Sequence, residues 1–457
     1  MTATYFSSRD FFLRFLSAIY CIAFISFEVQ VEGLIGKNGI LPAGDFLNQV
    51  ATQWGSERYW FFPTLAWFNS SDSFLKFLCL AGALLSLISI VSGGRAPLLF
   101  LLWIFYLSLV TVGQDFMEFQ WDNLLLETGF LGIFLALSPQ ALWFLRWILF
   151  RIVFSSGVVK LVSGDLSWHG LTALQYHYET QPLPTWIGWY FHQLPAWFHR
   201  LSAGLMFGIE LMIPFLIFGP SRLRLTAVFL IVLLQILIGA TGNYCFFNLL
   251  TVALCVLLID DETWGGKRKP TIQPKKAIAW WLIPLAVMII SVTTIQLGGL
   301  SRRRIPWPAP MVLLYRLAAP LRSINSYGLF AVMTTHRPEI IVEGSNDGTH
   351  WSAYEFKWKP GDLKKRPEFV APHQPRLDWQ MWFAALGSSR ENPWFIHFKE
   401  RLLEGRREVL ALLDKNPFPQ KPPRYLRAQV YDYQFTDWGT RYLEKKWWRR
   451  EWIGSYE

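Results

Sequence analysis

One lysine, Lys160, stands near the end of an apolar run that begins ALWFLRWILFRIVF at residue 141 and continues SSGVVKLVSGD. Upstream, QDFMEFQWDNLLLETGF places Asp115, Glu118 and Asp122 at i, i+3 and i+7, on one face of a helix. A lysine among such acids has three uses. It can lay its stem along the helix and reach for interfacial water. It can close a buried ion pair with Asp122 or Glu118. Or it can give up its proton on desolvation and act as a base, a shift that nearby carboxylates oppose. No catalytic residue is assigned outright; Lys160 is the candidate base, with Asp122 and Glu118 setting its protonation.

Other polar groups interrupt apolar runs, where a charge at the bilayer centre costs roughly 2.5 to 3.5 kcal/mol and tends to find a partner. Glu28, Gln30, Asn243 and Asn248 converge on the same outer depth as Lys160. Arg146 and Arg151 lie toward the opposite end of its helix, and Glu210 has no evident partner. His169, His177, His192 and His199 cluster around residues 164–199, but their spacing fits no zinc pattern, so interfacial packing is expected and no metal. There is no GxSxG, P-loop, dinucleotide fingerprint or EF-hand. The four cysteines all fall in apolar runs, which argues against thiol redox chemistry. No cofactor is expected from these motifs; a lipid or quinone beside Lys160 is the one ligand they leave open.

The elements that must position these groups are transmembrane helices. Of 457 residues 52% are hydrophobic and 17% charged, with 24 tryptophans and 37 phenylalanines. Apolar runs near 11–31, 74–92, 97–113, 119–137, 140–163, 196–218, 223–241, 243–260 and 277–298 approach the roughly 20 residues a spanning helix needs. About nine spans are therefore expected. Arg95, Arg222, Arg224 and the run Lys267, Arg268, Lys269, Lys275 and Lys276 put their loops in the cytoplasm, whereas the long loops 32–73 and 164–195 hold only Lys37 and Arg58. An odd count sends everything after 298 to the outer side.

That tail, 299–457, has the composition of a second, extracytoplasmic domain. EIIVEGSNDGTHWSAYEFKW alternates around a turn at Asn346, Asp347 and Gly348, as a β-hairpin does, and RYLRAQVYDYQF at 424–435 alternates likewise. NPWFIHFKERLLEGRREVLALLD, 392–414, has helical spacing. The fold class is a polytopic α-helical membrane protein, residues 1–298, carrying a β-rich, sandwich-like domain with inserted helices. The tail holds 26 Lys and Arg against 17 Asp and Glu, a surface suited to anionic headgroups or partners; no nucleic acid is expected. Within HQPRLDWQMWF, His373, Arg376, Asp378, Trp379 and Trp382 could contact a client protein. Trp379, Trp382 and Phe383, at i, i+3 and i+4, would equally pack a helix on the β core.

VEGLIGKNGILPA (31–43), FMEFQWDNLLLETGFL, SSGVVKLVSGDLSW, LTALQYHYETQPLPT, TGNYCFFNLLT, RPEIIVEGSNDG and APHQPRLDWQMWFAAL together resemble the lipase maturation factor family. The resemblance implies an integral protein of the endoplasmic reticulum membrane that assists folding and assembly of secreted lipases through an outward-facing C-terminal domain. For a bacterial member it implies the inner membrane, an exported client and a periplasmic domain. The partners it implies are a secreted client and the bilayer. GVVKL with Trp168 further resembles a segment of the vitamin-K-dependent γ-glutamyl carboxylases, in which the lysine matching Lys160 acts as a base on a reduced quinone. The lysine that adjoins it in that family is Val159 here.

Overall fold

The apolar runs fold into helices whose ends follow from local chemistry. In this computed structural model, which describes residues 4–265, 279–300 and 306–456, α1 is Phe6–Glu28 and α2 is Asp72–Ser92. α2 starts where Ser71 caps the Phe74 amide and stops at Gly93, whose φ of 80° lets the chain leave the helix. A proline in its first turn then opens α3 (Ala96–Val112). Next come α4 (Gln120–Leu137) and α5 (Leu142–Val162). The outer loop holds a short α6 (Leu174–Thr180), followed by α7 (Ala196–Met212), α8 (Ser221–Thr241), α9 (Phe247–Val256) and α10 (Ile283–Gly299).

Six stretches among the described residues are long and apolar enough to cross a membrane: Phe6–Glu28, Asp72–Ser92, Pro139–Val162, Ala196–Phe218, Ser221–Thr241 and Trp280–Gly299. The expected count of nine is not confirmed. α3 has 17 residues, α4 carries both Asp122 and Glu127, and α9 has 10 residues. At 1.5 Å per residue α9 covers only ~15 Å, half of a hydrocarbon core. The basic run Lys267 to Lys276 lies outside the described residues.

In the tail the expected hairpin forms. β1 (Pro338–Ser345) pairs antiparallel with β2 (Ser352–Ala353) across a turn in which Gly348 has a φ of 77°. The alternation at 424–435 is β5 (Tyr425–Phe435), and the sheet order is β2-β1-β5-β6, with β6 (Trp448–Ser455) at one edge. β3 (Glu355–Phe356) leaves this sheet to pair with β4 (Leu413–Lys415). Two helices, α11 (Arg376–Ala385) and α12 (Pro393–Leu403), are inserted. The single helix expected over 392–414 ends early, because Gly405 turns the chain at a φ of 66°.

One buried apolar cluster joins Phe12, Tyr106 and Leu145 of the bundle to Val342, Trp379 and Phe395 of the tail. Trp121 meets Trp379 edge-on at 4.7 Å, and Phe116 meets Trp394 at 5.7 Å. Small residues permit the closest approaches within the bundle. A Cβ on Gly82 would lie 2.6 Å from the ring of Phe24, which is fully buried. Replacing Gly82 with valine should therefore overpack α1 against α2 by about 1–3 kcal/mol and lower the thermal unfolding midpoint in detergent. An unchanged midpoint would refute that tight contact.

Candidate functional site

Lys160 is paired, and its partner is Glu210. Its Nζ donates to both carboxylate oxygens at 2.9 Å and to the carbonyl of Ser156 at 3.1 Å, so the three donors of an ammonium are all used. Neither Asp122 nor Glu118, the acids expected to pair with it, does so. The expectation assumed that helices begin at a common level, whereas α7 starts 14 residues, about 21 Å, ahead of Glu210. Glu210 thus reaches the last turns of α5, and Phe215 continues down α5 to meet Phe150 and Phe154. Gly157 leaves the room: a Cβ there would sit 3.0 Å from that of Glu210.

Next to the pair, Gly164 turns the chain at a φ of 77° and Asp165 caps a short helix, accepting the amides of Ser167 and Trp168. Asp165 also accepts the Met333 amide at 2.7 Å, and Trp168 Nε1 donates to the Phe330 carbonyl at 3.0 Å. The Trp168 ring lies 5.5 Å from Lys160 Nζ. The SGDLSW segment thus ties α5 to the start of the tail. A cavity of about 320 Å³ adjoins the pair, bounded by Lys160, Glu210, Trp168, His177, Tyr244 and Phe330 among others.

The acids of the fourth apolar run serve a different purpose. Asp122 is buried and receives Arg376 in a two-pronged pair, Nη1 to Oδ2 and Nη2 to Oδ1, each at 2.8 Å. Tyr106 donates to the same carboxylate at 2.5 Å, and Arg376 also donates to the Phe116 carbonyl at 2.6 Å. Glu118 stays exposed, 3.8 Å from Arg322, and Asp115 remains apart from Lys160. Gln30 and Asn243 hold the approach to Arg376. Gln30 accepts the Arg376 amide and donates to the Gln374 carbonyl, and Asn243 accepts the amides of Val370 and Ala371.

The proposed client-contact residues therefore lie inside the molecule. Arg376, Asp378, Trp379 and Trp382 are buried between bundle and sheet, and half-buried His373 shares a hydrogen bond of 2.9 Å with Ser26. Asp378 accepts the amides of Trp358 and Lys359, while Trp382 Nε1 donates to the Thr180 carbonyl. Of the two readings of this helix, the packing one describes its place.

Sequence reasoning missed two further ionic centres. Glu127 pairs with Arg151 and takes the Tyr327 hydroxyl at 2.6 Å, and Glu339 pairs with Arg337 and Lys359, each at 2.8 Å. The Tyr327 hydroxyl reaches Glu127 from 200 residues away, a contact for which spacing gives no signal. The four cysteines are free and buried, and among the described residues no three His, Cys, Asp or Glu side chains form a metal-binding group.

Residues 7–266 match the lipase maturation factor transmembrane domain and residues 323–457 the lipase maturation factor C-terminal domain. The chain is 36% identical to lipase maturation factor 2 of Rattus norvegicus and 37% to that of Homo sapiens, each over 98% of this chain and 82% of the relative. It is 34% identical to lipase maturation factor 1 of Bos taurus over 99% of this chain and 89% of that protein. No solved structure matches it.

Two outcomes follow from the geometry. Lys160→Met or Glu210→Met alone strands a buried charge and should cost about 3–5 kcal/mol, while the double variant should recover most of the loss in unfolding midpoint. A double variant no better than either single would exclude the pair as a structural unit. At the junction of α6 and β5, burial pushes the Glu179 carboxyl up to about 7 although it accepts the Phe435 amide at 2.9 Å. Between about 4.5 and 7 the folded form keeps a proton that the unfolded form has lost, so stability falls as pH rises through that window. The advantage of Glu179→Gln over the parent should thus grow from pH 4.5 to 7, toward about 3 kcal/mol, and then level off. A pH-independent difference would contradict it.

Proposed function

This chain belongs to the lipase maturation factor family, and we propose that it assists the folding or assembly of a secreted lipase or similar exported client while anchored in a membrane. Its C-terminal region faces the lumen of the endoplasmic reticulum in a eukaryotic source, or the periplasm in a bacterial one. The domains divide near residue 298, and the outer one supplies the client contact.

The observation that supports this reading is the far edge of the outer sheet. β6 is an edge strand with exposed Trp452 and Ile453. The helix before it, Trp438–Glu444, exposes Trp438, Tyr442 at 84% and Leu443 at 80%. Arg441, Lys445, Lys446, Arg449 and Arg450 surround them. An edge strand offers unpaired backbone groups, and exposed aromatic side chains are the commonest anchors of protein contacts. Together they suit an incompletely folded chain with strands of its own still unpaired. This surface replaces the buried HQPRLDWQMWF segment as the client-binding element.

The test is a triple variant, Tyr442→Ser, Leu443→Ser and Trp452→Ser, expressed with a secreted lipase in cells lacking the parent protein. The variant should reach normal abundance, because these side chains support no core, yet lower secreted lipase activity at least fivefold. Full lipase activity at normal abundance would refute the assigned surface.

A further inference from the structure

The cavity beside Lys160 has two properties that together specify an occupant. The first is where it opens. Leu237 of α8 stands on its rim and is 44% exposed, and Leu233 and Ile236 of the same membrane-crossing helix are exposed as well. In a bilayer these residues face acyl chains, so the mouth opens into hydrocarbon and not into water. At about 320 Å³ the space is at the small end of ligand sites, which run from roughly 300 to 1,000 Å³, and suits a single alkyl chain.

The second is the hydrogen bonding of its polar wall. Lys160 and Glu210 cancel each other's charge, so neither a cation nor an anion finds a counter-charge there. Gln181 Nε2 donates to the carbonyls of Tyr178 and Thr241, which leaves Gln181 Oε1 as an acceptor, and Tyr244 donates its hydroxyl proton to that oxygen at 2.6 Å. With that proton spent, Tyr244 can only accept from His177 Nε2, 3.2 Å away. Burial, then the charge of Lys160, pushes His177 down to about 4, so the ring is neutral and its Nδ1 carries a lone pair. Nδ1 has no hydrogen-bond partner among the described residues. Among the fully buried side-chain atoms described in the cavity wall, His177 Nδ1 is the one acceptor left unmet; Ser202, Gln235 and Asn248 line the rest of its polar side, and the Lys160–Glu210 pair adds no net charge.

We propose that this cavity binds an uncharged, single-chain amphiphile with a hydroxyl head, such as a long-chain alcohol or a monoacylglycerol, taken from the membrane, with the hydroxyl donating to His177 Nδ1. The Lys160–Glu210 pair is the site's polar floor. The chain lies among Leu234, Ile238 and Phe330. A carboxylate head meets no unpaired cation, because Glu210 already occupies Lys160. A quinone, which has no donor, leaves His177 unsatisfied. This inference does not depend on client maturation.

The full chain in phosphatidylcholine nanodiscs, exposed to a diazirine-bearing hexadecanol and mapped by peptide mass spectrometry, tests it. Labelling should saturate and fall on peptides of α6 and α8. Monooleoylglycerol should compete at least tenfold better than oleate or a decyl-benzoquinone. Leu237→Trp at the mouth should cut labelling at least fivefold, and Leu233→Trp, equally exposed one turn away but off the rim, should not; both substitutions sit at exposed positions and leave the core intact. His177→Phe should abolish the preference for monooleoylglycerol over the quinone. Labelling that does not saturate, is indifferent to Leu237→Trp, or is competed equally by oleate would overturn the proposal.

Discussion

Arg376 and Asp122 are 254 residues apart in sequence and meet with both carboxylate oxygens engaged. Neither charge reaches water, so each is affordable in the interior only because of the other. To bring them together, the chain must lay α11 across the outer ends of α3 and α4. Gln30, Ser26 and Asn243 then take up the backbone of residues 368–376. Trp379 follows Arg376 into contact with Trp121, and the tail and the helical bundle come to share one apolar core. The C-terminal region is thus built onto the helical bundle and is not tethered beside it.

The same rule operates at the other buried charges and accounts for the character of the cavity. Arg151 is consumed by Glu127, Arg224 by Asp260 and Lys160 by Glu210. What remains around the cavity carries no net charge: apolar side chains, two tyrosines, a histidine and uncharged polar groups such as Ser202, Gln235 and Asn248. Charge neutralisation leaves a recess without net charge beneath the segment 164–195. Beyond the apolar helices, exposed aromatic and aliphatic side chains also occur at the edge of the four-stranded sheet, where among the described residues no strand pairs with the free side of β6. The exposed edge of β6 and the cavity beside Lys160 are thus separate places, joined by a packed and ion-paired middle.

Much of the architecture was legible from periodicity. The hairpin at 338–353, the long strand 425–435 and the principal helices lie where alternation and apolar runs put them, since those patterns reflect burial that is local to each element. Gln30, Asn243 and Asp122 were visible in the sequence as polar groups that interrupt apolar runs. Their partner was not, because what they hold is a tail segment more than 120 residues further along. Lys160 shows the same limit. Its pairing was anticipated, but the acid was misplaced, because sequence carries no information about how far α7 is offset along α5. The count of nine spans is not confirmed where a helix is short or carries acids: α9 is apolar enough but stops after 10 residues. The burial of Arg376, Asp378, Trp379 and Trp382 was not legible, because a Trp and Arg cluster has the same composition whether it faces a partner or an interior seam.

The central claim is that one buried pair fastens the outer region to the membrane bundle as a cooperative unit. Hydrogen exchange of Arg376→Met in detergent, read by mass spectrometry against the parent chain, measures this directly. The account predicts that protection is lost together in residues 368–385, in the outer end of α1 and at the start of α4, with the stranded Asp122 opening both sides of the seam. Loss confined to residues 368–385, with α1 and α4 as protected as before, would contradict it.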